Sequence, residues 1–165
     1  MSCCLKGGFA VITGQKVLAY IIRKTEERIE LLVHEHRDFP EAGIQVPAGT
    51  VEENESLEEA LLREISEESG LEGLTLVAKL GDYHYAVKER NELHHRHFYL
   101  LKAEKPVSAT FVHRIKSHDS DNGLVFLYRW IPLENVKLAG EQDYFVNRIN
   151  RSCEGRLLNS PEQYT

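Results

Sequence analysis

Cysteine is scarce: three residues in a chain of 165, Cys3, Cys4 and Cys153, with no C-x-x-C pair among them. The count is odd, and adjacent Cys3 and Cys4 are poorly placed to bridge each other. That excludes a disulfide framework and a cysteine zinc site, and points to a reducing compartment, the cytoplasm. Basic charge is also short. Twenty Lys and Arg stand against 26 Asp and Glu, a formal net charge of −6. Such a chain lacks the basic face that duplex nucleic acid or an anionic membrane requires. It can act on a small anion only where cations or metal ions mask its field locally. No apolar run approaches the roughly 18 residues of a membrane span. The opening MSCCLKGGFAVITG has no basic segment followed by a long apolar one, so no signal peptide is expected. Repeats and low-complexity linkers are missing too, so residues 1–165 are read as one domain, with a frayed tail from about residue 157.

What remains is an ordinary globular balance, 42% hydrophobic and 28% charged. GGFAVIT and KVLAYIIRK read as strands, with TGQK (residues 13–16) as the hairpin between them. In the second run Val17, Ala19 and Ile21 share one face, and Leu18, Tyr20 and Ile22 the other. Both faces are apolar, which predicts a strand covered on both sides. RIELLVHEH, IQVPAG, LTLVAKL, DYHYAVK, HFYLLKA and LVFLYRWIPL follow as further strands, with charged loops at 89–96 and 104–123. Phe145, Val146 and Ile149 fall at helical spacing near the end and predict a helix there. The pattern is that of an α+β protein, a mixed sheet with helices packed on it.

The stretch GTVEENESLEEALLREISEESGL, residues 49–71, predicts the main helix. Ser56 and Glu59 form an S-x-x-E capping box, and Gly70 is the natural stop, so the helix should run from about Leu57 to Ser69. At about 100° per residue, Leu57, Ala60, Leu61 and Ile65 form the core stripe. Glu64 and Glu68 fall in that same stripe and Glu67 at its edge, while Glu58 and Glu59 point to solvent. Like charges at this spacing repel, and burial raises the cost. The inward carboxylates therefore need protons or cations. An all-oxygen cluster suits Mg²⁺ or Mn²⁺. The alternative is a solvated acidic groove with no ion.

These residues resemble the Nudix box, G-x5-E-x7-R-E-U-x-E-E-x-G-U with U a bulky aliphatic. Gly49, Glu55, Arg63, Glu64, Ile65, Glu67, Glu68, Gly70 and Leu71 each stand at the required offset. The seven fixed letters would match by chance on the order of 10⁻⁸ per start position. The resemblance implies an α/β/α sandwich with a central mixed sheet and the catalytic helix at about 57–69. It implies Mg²⁺-dependent (or Mn²⁺-dependent) hydrolysis of a nucleoside diphosphate linked to a moiety X, giving NMP and phosphoryl-X. A nucleotide-sensing module that binds without cleaving is the alternative.

By position, Glu64, Glu67 and Glu68 resemble the metal-binding and catalytic carboxylates, the Ala48 carbonyl (or that of Gly49) a further metal ligand, and Arg63 the residue that orients them. Glu55, Gly49 and Gly70 resemble supporting positions, Glu55 through Arg63. The family often adds an acid from a later loop, for which Glu104, Asp119 and Asp121 are on offer, Asp121 first. The expected partner is a small nucleotide. VPAG before the box is similar to nucleotide-sugar members; damaged NTPs, dinucleoside polyphosphates and capped RNA stay open. A homodimer is expected from family habit alone.

Outside the box, HHRHF places His95 and His97 on one strand face and His94 on the other. His97 and Arg96 are candidates to meet substrate, with His113, His118, Arg90 and other cations as further ones. For each, an ordinary surface or strand-edge role is the competing reading. Tyr83, Tyr85, Phe126, Tyr128 and Trp130 are candidates to stack on a base or to fill the core. DSDNG at 119–123 lacks the closing glutamate of a calcium loop and reads as a turn.

Overall fold

The computed structural model describes residues 12–134 and 136–157. Its organising strand is β1 (Ile12–Lys24). The others are β2 (Ile29–His36), β3 (Ala48–Thr50), β4 (Thr75–Val87), β5 (Glu92–Lys102), β6 (Thr110–Arg114) and β7 (Val125–Pro132). They form a seven-stranded mixed sheet in the order β4-β5-β1-β2-β7-β6, with β3 pairing to β1 off that path. Helix α1 (Leu57–Ser69) and helix α2 (Ile149–Leu157) complete the fold.

The two apolar faces of β1 are both covered. Val17, Ala19 and Ile21 pack with Ala60, Leu61 and Ile65 of α1. Leu18, Tyr20 and Ile22 pack with Leu138, Phe145 and Ile149 from the C-terminal segment. Each such side chain contributes roughly 1.5–3 kcal/mol by leaving water, so the sandwich follows from the double apolar face.

The hairpin expected at TGQK does not form. The chain runs through those residues as β1, because parallel pairing with β5 from Gly14 to Ile22 supplies the backbone partners that a turn would forgo. Most of GGFAVIT lies outside the described residues, as does the tail beyond 157. LTLVAKL and DYHYAVK are one strand, β4, with register shifts between Leu76 and Ala78 and between Lys79 and Gly81. The loop expected at 89–96 shrinks to a turn at Lys88–Arg90, so His94, His95 and His97 all lie within β5. The loop expected at 104–123 contains β6, an edge strand whose five residues were too few to show their alternation. Phe145 and Ile149 are buried as their spacing predicts. The α-helix itself starts only at Ile149, with Val146–Arg148 before it wound as a 3-10 turn.

One feature of the sheet creates space for a site. The far end of β1 pairs with β2 (Ile22 to Leu31, Lys24 to Ile29), whereas its near end pairs with β3 (Lys16 to Thr50, Leu18 to Ala48). The segment leading into β3 links back to β2 through a bridge between His34 and Gln45. Between those pairings the sheet splits. The last turns of α1 face the split, where the Ala48 amide donates to Glu68.

Candidate active site

Helix α1 starts and stops where its local chemistry says. The Glu59 amide donates to Ser56 Oγ at 3.1 Å, and the Ser56 amide donates to Glu59 Oε2 at 2.8 Å. At the other end Gly70 takes a left-handed conformation (φ 71°) and its amide donates to the Ser66 carbonyl. The final carbonyls are also tied from outside. Tyr128 Oη donates to the Glu68 carbonyl at 2.9 Å, and His113 Nε2 lies 2.9 Å from the Glu67 carbonyl. His113 thus anchors the helix end, and Tyr128 is a core residue with a polar tip. These two contacts set the peptide planes from which Glu67 and Glu68 project.

Arg63 is the hub of the cluster. Its Nε and Nη2 grip Glu55 at 2.7 and 3.0 Å, and Nη2 also donates to the Thr50 carbonyl at 2.9 Å. Its Nη1 donates to Glu64 Oε1 at 2.9 Å and to Glu67 Oε2 at 3.4 Å. A planar fork of five donors suits this task, and a lysine would supply one point charge instead. Glu55 also accepts from the Glu52 amide, which steadies the loop before the helix.

Glu64 and Glu68 are buried, at 7% and 8% exposure, while Glu67 is half-buried. Burial pushes Glu64 up to about 7, against the opposing pull of Arg63. Burial also holds Glu68 well above the usual carboxylate range, although the Ala48 amide at 3.0 Å favours its charged form. Gly49 explains its own identity: a Cβ there would sit 1.9–2.2 Å from the carboxylate atoms of Glu64. The backbone of β3 and the Glu64 carboxylate can meet only because that side chain is missing.

These groups open on a cavity of about 340 Å³ lined by Ala48, Gly49, Glu64, Glu67 and Glu68. Asp119 and Asp121 reach it from the loop before β7. Lys16, Arg90 and Arg96 also line it, so the cavity joins an acidic surface to a basic one. Arg96 is held by stacking on Tyr85, 3.6 Å from the ring centre, and by a hydrogen bond to the Gly140 carbonyl. Lys16 donates to Thr50 Oγ1, and burial lowers its pKa from the ordinary lysine value. Among the described residues, no three His, Cys, Asp or Glu side chains are grouped so as to hold a metal ion. The glutamates present instead an open array of oxygens.

Arg96 and Asp121 therefore lie in the cavity, but His97 does not. His97 is buried, with Nε2 2.8 Å from Gln15 Oε1 and Nδ1 2.9 Å from Lys79 Nζ. Its ring packs against His95, which stacks on His84 and bonds Asp82. His94, on the opposite strand face, lines the cavity instead. Lys16 was missed because the sequence placed it in a turn. Its register neighbours, Thr50 and Arg96, come from distant parts of the chain.

The NUDIX domain profile matches residues 13–149. The chain belongs to the Nudix family. Solved structures of the same fold include the NUDIX domain of Shewanella oneidensis NrtR complexed with ADP ribose, 16% identical, covering 90% of each chain with a TM-score of 0.60. An Ap4A hydrolase from C. elegans is 19% identical over 90% of this chain and 97% of its own, TM-score 0.55. A UDP-X diphosphatase is 14% identical over 93% and 68%, TM-score 0.61. No curated protein sequence matches this one. The seven-stranded mixed sheet is that of these neighbours. Among the described residues no helix is long and apolar enough to cross a membrane.

Proposed function

We propose that this Nudix hydrolase cleaves a nucleoside diphosphate linked to a second moiety X, using Mg²⁺ or Mn²⁺, and releases NMP and phosphoryl-X. The supporting observation is one cavity in which buried Glu64 and Glu68 share space with Lys16, Arg90 and Arg96. Carboxylates forced towards protonation by burial are the groups that gain most from a nearby dication. An open array fits Mg²⁺ better than a closed cage would, since that ion keeps waters and substrate phosphates in its shell.

Glu64, Glu67 and Glu68, with the Ala48 carbonyl, would hold the metal. When bound, it neutralises the pyrophosphate bridge and acidifies a water. Arg63, fixed by Glu55 and the Thr50 carbonyl, keeps Glu64 and Glu67 from swinging apart. The basic residues grip the phosphate oxygens and align the bridge for in-line attack. Glu64 takes the proton of the attacking water as its oxygen bonds to phosphorus; the bridging P–O bond breaks, and its electron pair leaves with the departing phosphate. Asp121 is the first choice for the later loop acid, with Asp119 beside it in the cavity.

The neighbouring structures carry names with a nucleoside diphosphate unit in common, as ADP ribose, Ap4A or UDP-X. The panel to test therefore holds ADP-sugars, UDP-sugars, dinucleoside polyphosphates, oxidised NTPs and capped RNA. NMP release in Mg²⁺, abolished by EDTA, is the expected result. A nucleotide that stays bound and intact in Mg²⁺ would instead support the sensing reading, which the ADP ribose complex of one neighbour brings forward. A cytoplasmic location and a homodimer belong to the same proposal, the second checked by light scattering in solution.

A further inference from the structure

The main cavity has a pair of polar side chains that the glutamate cluster does not use. Gln45 precedes β3, and Gln142 stands two residues after Gly140, whose carbonyl holds Arg96. Both line the cavity. Gln142 is buried, at 8% exposure, and Gln45 half-buried. Their backbone groups are engaged elsewhere. The Gln45 amide and carbonyl bond His34 across the bridge. The Gln142 carbonyl accepts from Tyr20 Oη, and its amide donates to the Ala139 carbonyl. What each residue has to offer the cavity is its side-chain amide.

The backbone fixes which end of each amide is which. The Val46 N–H, 2.9 Å from the Gln142 side chain, can only donate, so the atom facing it is Oε1. The Ala42 carbonyl, 3.2 Å from the Gln45 side chain, can only accept, so the atom facing it is Nε2. Gln142 Nε2 and Gln45 Oε1 are left facing each other at 3.5 Å, a long contact. Among the described residues neither atom has another hydrogen-bond partner. Gln142 Nε2 keeps a second N–H and Gln45 Oε1 a second lone pair. A donor and an acceptor thus stand together, uncharged, in a cavity whose other polar lining is mostly charged.

That pattern selects its ligand. A phosphate oxygen of the pyrophosphate only accepts, so the Gln45 oxygen would repel it. A hydroxyl both donates and accepts, and two on neighbouring ring carbons meet such a pair at once. A nucleobase edge also sets a donor beside an acceptor, but a base wants a flat surface to stack on. Among the described residues no Phe, Tyr or Trp lines the cavity, and its apolar side chains are Leu18, Ala48 and Ile115.

We propose that Gln45 and Gln142 bind the vicinal hydroxyls of a sugar joined to the pyrophosphate, and so determine the substrate class as a nucleoside diphosphate presenting a free sugar diol. The inference rests on the hydrolase reading proposed above and deepens it. Two sources offer that diol, the ribose of the nucleoside and a sugar as X.

ADP-ribose carries both sources and is the probe. kcat and KM are measured in Mg²⁺ for ADP-ribose, for its analogue without the adenosine 2′-hydroxyl, and for its analogue without the 2-hydroxyl of the terminal ribose. Loss of the hydroxyl that the amides hold should lower kcat/KM by about ten- to a hundred-fold, because a buried donor or acceptor is left unpaired. Which analogue suffers tells which sugar is held. Gln142→Met and Gln45→Met each remove one member of the pair. Each should lower kcat/KM for ADP-ribose by a similar factor, mainly through KM, and bring the preference over that analogue to within about three-fold. Wild-type enzyme indifferent to both hydroxyls, or variants that keep the full preference, overturns this inference and leaves hydrolysis standing. Variants that instead shift the preference between ADP-ribose and GDP-ribose assign the pair to the base and overturn it too. Where ADP-ribose resists and another ribonucleotide of the panel is cleaved, the same comparison is made on that substrate and its 2′-deoxy form. A chain that cleaves no panel nucleotide in Mg²⁺ or Mn²⁺ overturns the proposed function and this inference with it. Should neither variant fold, a crystal structure of the wild type with ADP-ribose in EDTA decides. A sugar hydroxyl within about 3.5 Å of both amides supports the role, and a base or phosphate in that place ends it.

Discussion

The two halves of helix α1 obey opposite rules. In the first half, Leu57, Ala60 and Leu61 turn apolar groups to the sheet, and the Ser56–Glu59 box closes the end. Glu58 and Glu59 of that half lie exposed. In the second half the same inward stripe carries Glu64 and Glu68, buried and displaced towards protonation. Folding alone would have placed Leu or Ile at those positions. The difference teaches where stability was given up: the helix is held by its first turns and by outside anchors on its last carbonyls, so that its last turns can carry charge.

The sharpest break of that comparison is Glu68→Gln. It should lower kcat by about 10²–10⁴, or roughly 3–5 kcal/mol of barrier, while thermal melting shows a fold at least as stable. A variant near the wild-type rate would place Glu68 among ordinary helix residues. Next in size is the pH dependence of the metal-free protein. The folded state keeps the Glu64 proton up to about 7, whereas an ordinary glutamate releases it near 4.5. The protonated form therefore contributes stability that is complete below about pH 4.5 and is lost as pH rises through about 7, with Glu68 acting in the same direction. Unfolding free energy should fall across that window by up to about 3 kcal/mol from Glu64. Glu64→Gln should flatten the slope, and a wild-type curve that is level or rises there would contradict the burial argument.

A smaller effect is expected at Gly49. The methyl of Gly49→Ala would collide with Glu64, so the carboxylate must shift, for a loss of about ten- to a hundred-fold in kcat with little change in KM. An unaffected kcat would show that Glu64 is free to relocate. The smallest change belongs to the first half of the helix. Ser56→Ala should cost about 1 kcal/mol of stability in denaturant titration and leave kcat untouched. A matching loss of activity would mean that the two halves are not separable.

How much of this was readable in advance varies with distance along the chain. The bounds of α1 and the inward turn of Glu64 and Glu68 follow from 3.6-residue periodicity and caps, which are local. The two-sided burial of β1 follows from its alternation in the same way. The hairpin at TGQK failed because a turn signal lost to strand pairing with β5, a partner some eighty residues away. His97 is taken up by Gln15 and Lys79 on the strand face it shares with Tyr99 and Leu101, and His94, its neighbour of opposite parity, took the place in the cavity.

By itself, then, the order of residues determined a helix that turns carboxylates inward and the family whose box it carries, since both are patterns of local spacing. Only the folded chain decided which cations face those carboxylates, which loop acids join them, and that the amides of Gln45 and Gln142 meet in the same cavity. Lys16, Arg96, Asp121 and Gln45 come from four separate strands or loops, and side chains so far apart in sequence acquire a common surface only when the sheet is assembled and split.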